Sequence, residues 1–380
     1  MKKDEFYNPS AMLEKCPDAK YYFVYGEKSN GKTFAFLNII LFGYHSSKID
    51  VNGYLDDGSQ GAVIRRFYDD ISGGTAKNLF ENFVNNTTFG NIIEKKTGGR
   101  WNRVAMRGNE WHLAKMTEDD LKIDPTPFCY RFSLTGEQKD HSGYPRIKNI
   151  LFDEVITRKY YLPDEFVTFQ KVISNIVRER NDARIYMTGN AINRYCIYFK
   201  EMGLTHVRKQ EQGTIDVYGY GESALKVAVE YSKPNKKSKK SDVYFAFDNP
   251  KLKMITTGEW EIGIYPHLPY PYYPTDVLYQ FFIRFEEDTL HGEVISKDGE
   301  VFVYLHRKTT EIKDEGKYLV FQSEYSTKPN FSRNFLKPKT RIHERILDMF
   351  VKDRFYYQDN EIGEVMRNYV IWCKNSKMGE

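Results

Sequence analysis

The chain has only four cysteines, Cys16, Cys129, Cys196 and Cys373, and no two are close enough to form a CxxC pair. That excludes a zinc ribbon or a disulfide-stapled scaffold and fits a reducing compartment. No run approaches the roughly 18 apolar residues of a membrane span. The opening Met1-Lys2-Lys3-Asp4-Glu5 leads into no apolar core of a signal peptide, so a cytosolic protein is expected, with no membrane partner. An excess of one charge is also lacking: 56 Lys+Arg face 52 Asp+Glu, a net of +4. This excludes a protein that coats nucleic acid by bulk attraction, though not one with a local basic patch. There is no internal repeat. What is present is 380 residues, enough for two or three domains, with 41% hydrophobic and 28% charged residues, which exclude a disordered chain. Aromatics reach 16%, supplying both core and rings that could stack on bases.

Tyr21 to Gly26 is a short run of ring and β-branched residues stopped by glycine and predicts a buried strand. Thr33 to Gly43 carries Phe34, Leu37, Ile40 and Leu41 at helical spacing. Further strands are expected at Ala62–Ile64, Ile147–Phe152 and Arg184–Thr188, with an amphipathic helix from Phe166 to Val177. Strands alternating with helices imply a mainly parallel sheet in an α/β domain spanning residues 1–231. Residues 232–275 read as a linker region that opens on the polar run Lys233–Lys240. That run is either a solvated tether or a contact for DNA phosphates or for a partner. Residues 276–380 form a smaller unit of strands at 278–285, 292–295 and 301–305, followed by helices at 341–351 and 361–373.

Gly26-Glu27-Lys28-Ser29-Asn30-Gly31-Lys32-Thr33 matches the phosphate-loop pattern GxxxxGK[ST] at every fixed position, between a predicted strand and a predicted helix. The glycines let backbone N–H groups turn toward phosphates. Lys32 reaches the β/γ-phosphates of ATP, and Thr33 offers its hydroxyl to Mg²⁺. Ile150-Leu151-Phe152-Asp153-Glu154 is an apolar strand ending in two acids. Asp153 is the expected second partner of Mg²⁺, and Glu154 the general base that activates water. Such an acid pair favours a hydrolase over a kinase. Arg178, Arg180 and Arg184 follow the amphipathic helix; Arg178 is the first choice for an arginine that reaches a neighbouring subunit's site, the alternative being a solvated helix end. Asn190 either contacts the γ-phosphate or attacking water, or is a turn residue. Arg65 and Arg66 either act in trans or cap the sheet.

Phe6-Tyr7-Asn8-Pro9, the phosphate loop, Arg65-Arg66, Tyr144-Pro145, Ile150 to Glu154 and Asn190-Ala191 occur together in this order. The set resembles the double-stranded DNA packaging ATPases of phi29-like tailed phages over residues 1 to about 231. The resemblance implies an additional-strand (ASCE) P-loop fold of the FtsK-HerA/terminase-like kind, followed by an α+β RNase H-like domain that has lost its nuclease site. It implies an ATP-driven ring, usually a homopentamer, at the portal or connector of a procapsid in the host cytoplasm, with or without a scaffolding RNA. Arg178 falls on the trans-acting finger. The stretch Gly136 to Gly143 falls on a pore loop, with Lys139 and His141 as DNA contacts. Tyr7 would stack on adenine or act as a hydrophobic staple. Two rivals remain: a large terminase with a live metal-dependent nuclease, drawing on Asp242, Asp248, Glu259, Glu286, Glu287 and Asp288, and a nucleotide-gated adaptor without sustained turnover.

Overall fold

The computed structural model describes residues 7–42, 58–136, 144–233, 260, 262–268 and 270–376. They fall into two compact units. One contains the described residues of Met1–Thr157 and Asp164–Trp260, the other those of Arg158–Pro163 and Glu261–Glu380. The division at Trp260 thus lies within the 232–275 stretch, and a short excursion after Thr157 joins the second unit.

In the first unit the elements are α1 (Ser10–Lys15), β1 (Tyr21–Gly26), α2 (Lys32–Phe42), β2 (Gln60–Arg65), α3 (Gly73–Asn78), α4 (Glu81–Val84) and α5 (Ile92–Lys96). There follow β3 (Arg103–Arg107), β4 (Glu110–Met116), β5 (Leu121–Ile123), β6 (Cys129–Ser133), β7 (Ile147–Phe152), α6 (Glu165–Val177), β8 (Arg184–Asn190), α7 (Ile197–Glu201), β9 (Ile215–Gly219) and β10 (Lys226–Tyr231). One sheet runs β3-β4-β6-β2-β7-β8-β1-β10-β9, with β5 on β4. The stretch from β6 to β10 is parallel throughout; β3, β4, β5 and β9 add antiparallel margins. The mainly parallel sheet expected from the alternating pattern is therefore present.

The strands are where their composition puts them. All six residues of β1 are buried, which is why it reads as an unbroken apolar run rather than an alternating one. Phe36, Leu37, Ile40 and Leu41 of α2 are buried, and Phe36 stacks on Tyr186 of β8 at 4.8 Å. Together with Tyr22, Phe80, Phe83 and Trp111 they form one core cluster. Each fully buried ring contributes on the order of 2–3 kcal/mol.

The second unit holds β11 (Val277–Phe285), β12 (Asp288–Lys297), β13 (Glu300–Arg307), β14 (Leu319–Gln322), β15 (Phe331–Ser332), α8 (Arg341–Val351), β16 (Phe355–Tyr357) and α9 (Asn360–Asn375). Its sheet runs β15-β14-β11-β12-β13-β16. The pairs β11/β12 and β12/β13 are antiparallel and the others parallel. Asp298 (φ 50°) and Gly299 (φ 83°) make the two-residue turn between β12 and β13, the left-handed pair that suits the twist of a hairpin. Thr340 and Asp359 cap α8 and α9, each accepting a backbone N–H three residues on. The expected strand at 292–295 extends to ten residues. Its N-terminal half carries Asp288, Thr289 and His291, so hydropathy understates a ladder set by hydrogen bonding.

Candidate active site

The strand β1, the loop after it and the helix α2 build one wall of the site. Gly26 (φ 152°) and Gly31 (φ 92°) take backbone conformations suited to glycine, and a Cβ at Gly26 would lie 2.3 Å from Ser232 Oγ. Ser232 follows β10 and ties the loop down: its hydroxyl accepts from Asn30 Nδ2 at 3.1 Å and donates to Tyr25 O at 3.0 Å. Ser29 (φ 63°) adds a third left-handed residue, so the loop is a concave run of the kind that turns N–H groups inward.

Lys32 is 6% exposed. Its ammonium donates to Glu27 O (2.5 Å), Asn30 Oδ1 (3.1 Å) and Asn190 Oδ1 (3.4 Å). Burial pushes its pKa down to about 8, against the opposing pull of Asp153 and Glu27. A buried cation with only neutral oxygens in hydrogen-bond contact is a site that an anion would relieve.

β7 and β8 supply the facing wall, and β8 lies between β1 and β7 in the sheet. Asp153, directly after β7, accepts from Thr33 Oγ1 at 2.9 Å and from the Thr188 hydroxyl. The Thr33 hydroxyl and the Asp153 carboxylate are thus adjacent oxygen ligands, a donor set that fits a hard cation such as Mg²⁺. Glu154 is set apart: its φ is 60° and its side chain is 65% exposed, against 4% for Asp153. A non-glycine residue in the left-handed region costs of order 1–3 kcal/mol and persists only where its surroundings enforce it. Here they do. Arg66 donates to the carbonyls of Glu154 (3.3 Å) and Val155 (2.7 Å), and its Nε forks onto Glu165 of α6 at 2.9 and 3.0 Å. Tyr198 donates to the same carboxylate at 2.9 Å. Arg65 spans both acids, 2.6 Å from Asp153 Oδ2 and 2.7 Å from Glu154 Oε2. Those carboxylates outweigh burial and raise its pKa. The arginines that sequence left open as trans-acting or sheet-capping are both engaged within this chain.

Between the walls lies a cavity of about 470 Å³, of ligand-binding size. Lys28, Ser29, Asn30, Gly31, Lys32, Thr33, Asp153, Glu154 and Asn190 all line it. So do Asn82, Asn85, Asn86 and Thr87, beside α4, which the sequence did not single out. Their only signal is a polar Asn-Asn-Thr run after a short apolar helix.

The remaining residues lie elsewhere. Tyr7 donates from its backbone N–H to Asn30 O and from its hydroxyl to Glu230 at 2.6 Å, its ring 6.1 Å from Phe36; it is not among the lining residues. Arg178 ends α6 at φ 54°, exposed, and none of the described residues pairs with its guanidinium. Arg180 is consumed internally by the carbonyls of Tyr144 and Ile147 and by Asp182. Arg184 donates to Pro17 O. Lys139 and His141 lie outside the described residues, as do Asp242, Asp248 and Glu259. Among the described residues, no helix is long and apolar enough to cross a membrane.

The geometry defines an α/β protein whose parallel strands deliver a glycine loop, a buried lysine and two acids to one cavity at their carboxyl ends. Comparison with known proteins narrows the class. No family model matches the chain. In sequence it is similar to a DNA packaging protein of Bacillus phage B103, 26% identical over 119 residues, covering 28% of this chain and 35% of that relative. The chain therefore spans about a third of the length of the curated relative it matches. In structure it is similar to the bacteriophage phi29 viral genome packaging motor assembly, with a TM-score of 0.53, 18% identity, and 98% and 100% of the two chains covered. It also matches the N-terminal domain of the DNA packaging ATPase from bacteriophage phi29, with a TM-score of 0.44, 19% identity, and 61% and 98% covered. At 18% identity the first of these likenesses speaks for the fold.

Proposed function

We propose that this chain is an ATP-hydrolysing motor that drives double-stranded DNA into a viral procapsid. The observation that carries the ATPase reading is the buried Lys32 in its glycine loop, facing Asp153 and Glu154 across one cavity. The position of β8 between the loop strand β1 and the acid-bearing β7 supports the additional-strand P-loop class. The DNA-packaging part rests on the similarity to the phage B103 protein and on the shared fold.

In this reading Lys32 and the N-terminus of α2 hold the β- and γ-phosphates of ATP. Thr33 and Asp153 would hold Mg²⁺, which when bound neutralises charge on the phosphate oxygens. Glu154 orients the attacking water and takes its proton. To do so it must exchange its pairing with Arg65, which makes Arg65 a latch on the two acids. Arg66 and Glu165 do not touch substrate; they fix the backbone on which Glu154 turns. Arg178, exposed and unpaired among the described residues, suits a finger that completes the site of the next subunit in a ring. We place that ring, a pentamer by resemblance, at the portal, with Lys139 and His141 toward DNA. The order β13-β12-β11-β14-β15, with β12 antiparallel to both neighbours, supports an RNase H-like second domain.

Steady-state phosphate release with and without double-stranded DNA tests the proposal. Turnover stimulated by DNA, lost in Glu154→Gln with ATP binding retained, is the expected result. An adaptor would bind ATP without sustained release, and normal hydrolysis by Glu154→Gln would overturn the base assignment.

A further inference from the structure

The second unit carries a cluster that the motor reading does not use. His291 and Glu293 sit two residues apart on β12, so their side chains share one face of the sheet. His306 on β13 is the cross-strand partner of His291. Their ligating atoms all lie within 4.8 Å of one another, and this is the only such grouping of three or more among the described residues.

We propose that His291, Glu293 and His306 bind a divalent transition-metal ion of the zinc class. Two imidazoles and one carboxylate match a borderline-soft cation rather than Mg²⁺, which prefers an all-oxygen shell. In a tetrahedral zinc site, bonds near 2.0–2.1 Å set ligand atoms about 3.4 Å apart. His306 Nε2 and Glu293 Oε2 already stand at 3.4 Å. The ligating atom of His291 lies within 4.8 Å of both.

His291 Nε2 supplies a second observation. It is buried and has no hydrogen-bond partner among the described residues. The ring is held by stacking on Phe282 at 4.7 Å and by an edge contact with His306 at 4.7 Å. A fixed ring with an orphan nitrogen is costly for a core and useful for a ligand. The carboxylate is oriented from behind: Tyr272 donates to Glu293 Oε2 and Gln280 Nε2 donates to Oε1 at 3.3 Å. Tyr304 stacks on His306 at 5.5 Å. Such supporting contacts accompany metal sites because they fix ligand direction. With three protein ligands, a fourth position is left for water, and His306, 27% exposed, gives the ion a way in.

The test uses the full chain, stripped with chelator and then titrated calorimetrically with Zn²⁺ in excess Mg²⁺, which saturates the hard-cation site of the first unit. One Zn²⁺ per chain is expected, and Co²⁺ in its place should give the visible bands of a four-coordinate ion. His306→Gln and Glu293→Gln should each weaken Zn²⁺ binding by about a hundredfold or more, and Tyr272→Phe by about tenfold. Thermal melts of the chelated variants check that they fold. Should a variant fail that check, the Co²⁺ spectrum of the unaltered chain decides. No stoichiometric binding, a six-coordinate Co²⁺ spectrum, or unchanged affinity in folded His306→Gln would overturn the site. The ATPase reading plays no part in this outcome.

Discussion

The two sheets treat charge in opposite ways. At the strand ends of the first unit, charged groups converge and are held short of full satisfaction. Lys32 is buried against neutral oxygens, and Arg65 bridges two acids that a nucleotide and its cation would reclaim. In the second unit, outside the cluster of His291, Glu293 and His306, acids are paired off locally: Asp288 with Arg307, Glu315 with Arg284 and Lys328, and Glu364 with Arg158. A pair balanced within its own fold has little left to offer a ligand, whereas an unbalanced group at a cavity wall does. The contrast agrees with the proposed placement of nucleotide chemistry in the first unit.

The sharpest test sets an unpaired arginine against a paired one. Arg178→Ala should lower turnover by a factor on the order of 10³ while leaving nucleotide binding intact, the loss expected of a finger acting on a neighbour's site. Arg307→Gln, which unpairs Asp288 and Glu361 within the second unit, should leave turnover within about twofold. Equal losses in the two variants would erase the distinction. Next comes the clamp beneath Glu154. Removing one partner of a buried pair strands the other, so Arg66→Met should destabilise the fold by about 3–5 kcal/mol in denaturant titrations. Arg66→Met with Glu165→Leu should recover much of that stability yet still lose turnover, because the carbonyls of Glu154 and Val155 are released. Recovery of both would mean the clamp serves stability alone.

The sequence was most legible where one physical rule dominated. β1, α2, β7 and α6 carry unbroken or periodic apolar residues, and their bounds fall within a residue or two of those expected. The loop residues, Asp153 and Glu154 could be named because phosphate and cation chemistry fixes residue type as well as spacing. Residues 67–133 yielded no predicted element. There α3, α4 and α5 are four to six residues long and β3 to β6 mix charge with apolar positions, so neither period accumulates. In β4 all of Trp111, His112, Leu113 and Ala114 are buried, so no alternation marks the strand. The Arg66–Glu165 clamp was beyond any local pattern, since 99 residues separate its partners. The histidines of β12 and β13 were equally hidden, because only cross-strand register brings them together.

A smaller effect probes the latch. Arg65 competes with a cation for Asp153, so Arg65→Gln should lower the Mg²⁺ concentration for half-maximal turnover by a few-fold. An unchanged or raised requirement would show that Arg65 assists cation binding instead.

A pH dependence with two opposite signs falls on one residue. Burial in the fold pushes Lys32 down to about 8, from the ordinary 10.5 of the unfolded chain. Below about pH 8 both forms hold the proton, and burying it is a constant cost. Between about 8 and 10.5 the unfolded chain binds more protons, so this group's contribution to stability rises with pH. Phosphates beside the ammonium would raise its pKa again, so nucleotide binding above pH 8 must take up a proton. ATP affinity should therefore fall as pH climbs through 8, by at most about tenfold per unit, over the same range in which the empty protein gains stability. Calorimetric titrations with ATP and melts without it, each across pH 7 to 10, separate the two slopes. Lys32→Met should flatten the stability slope. If the slope survives that substitution, the charge held in the first unit resides on some other group.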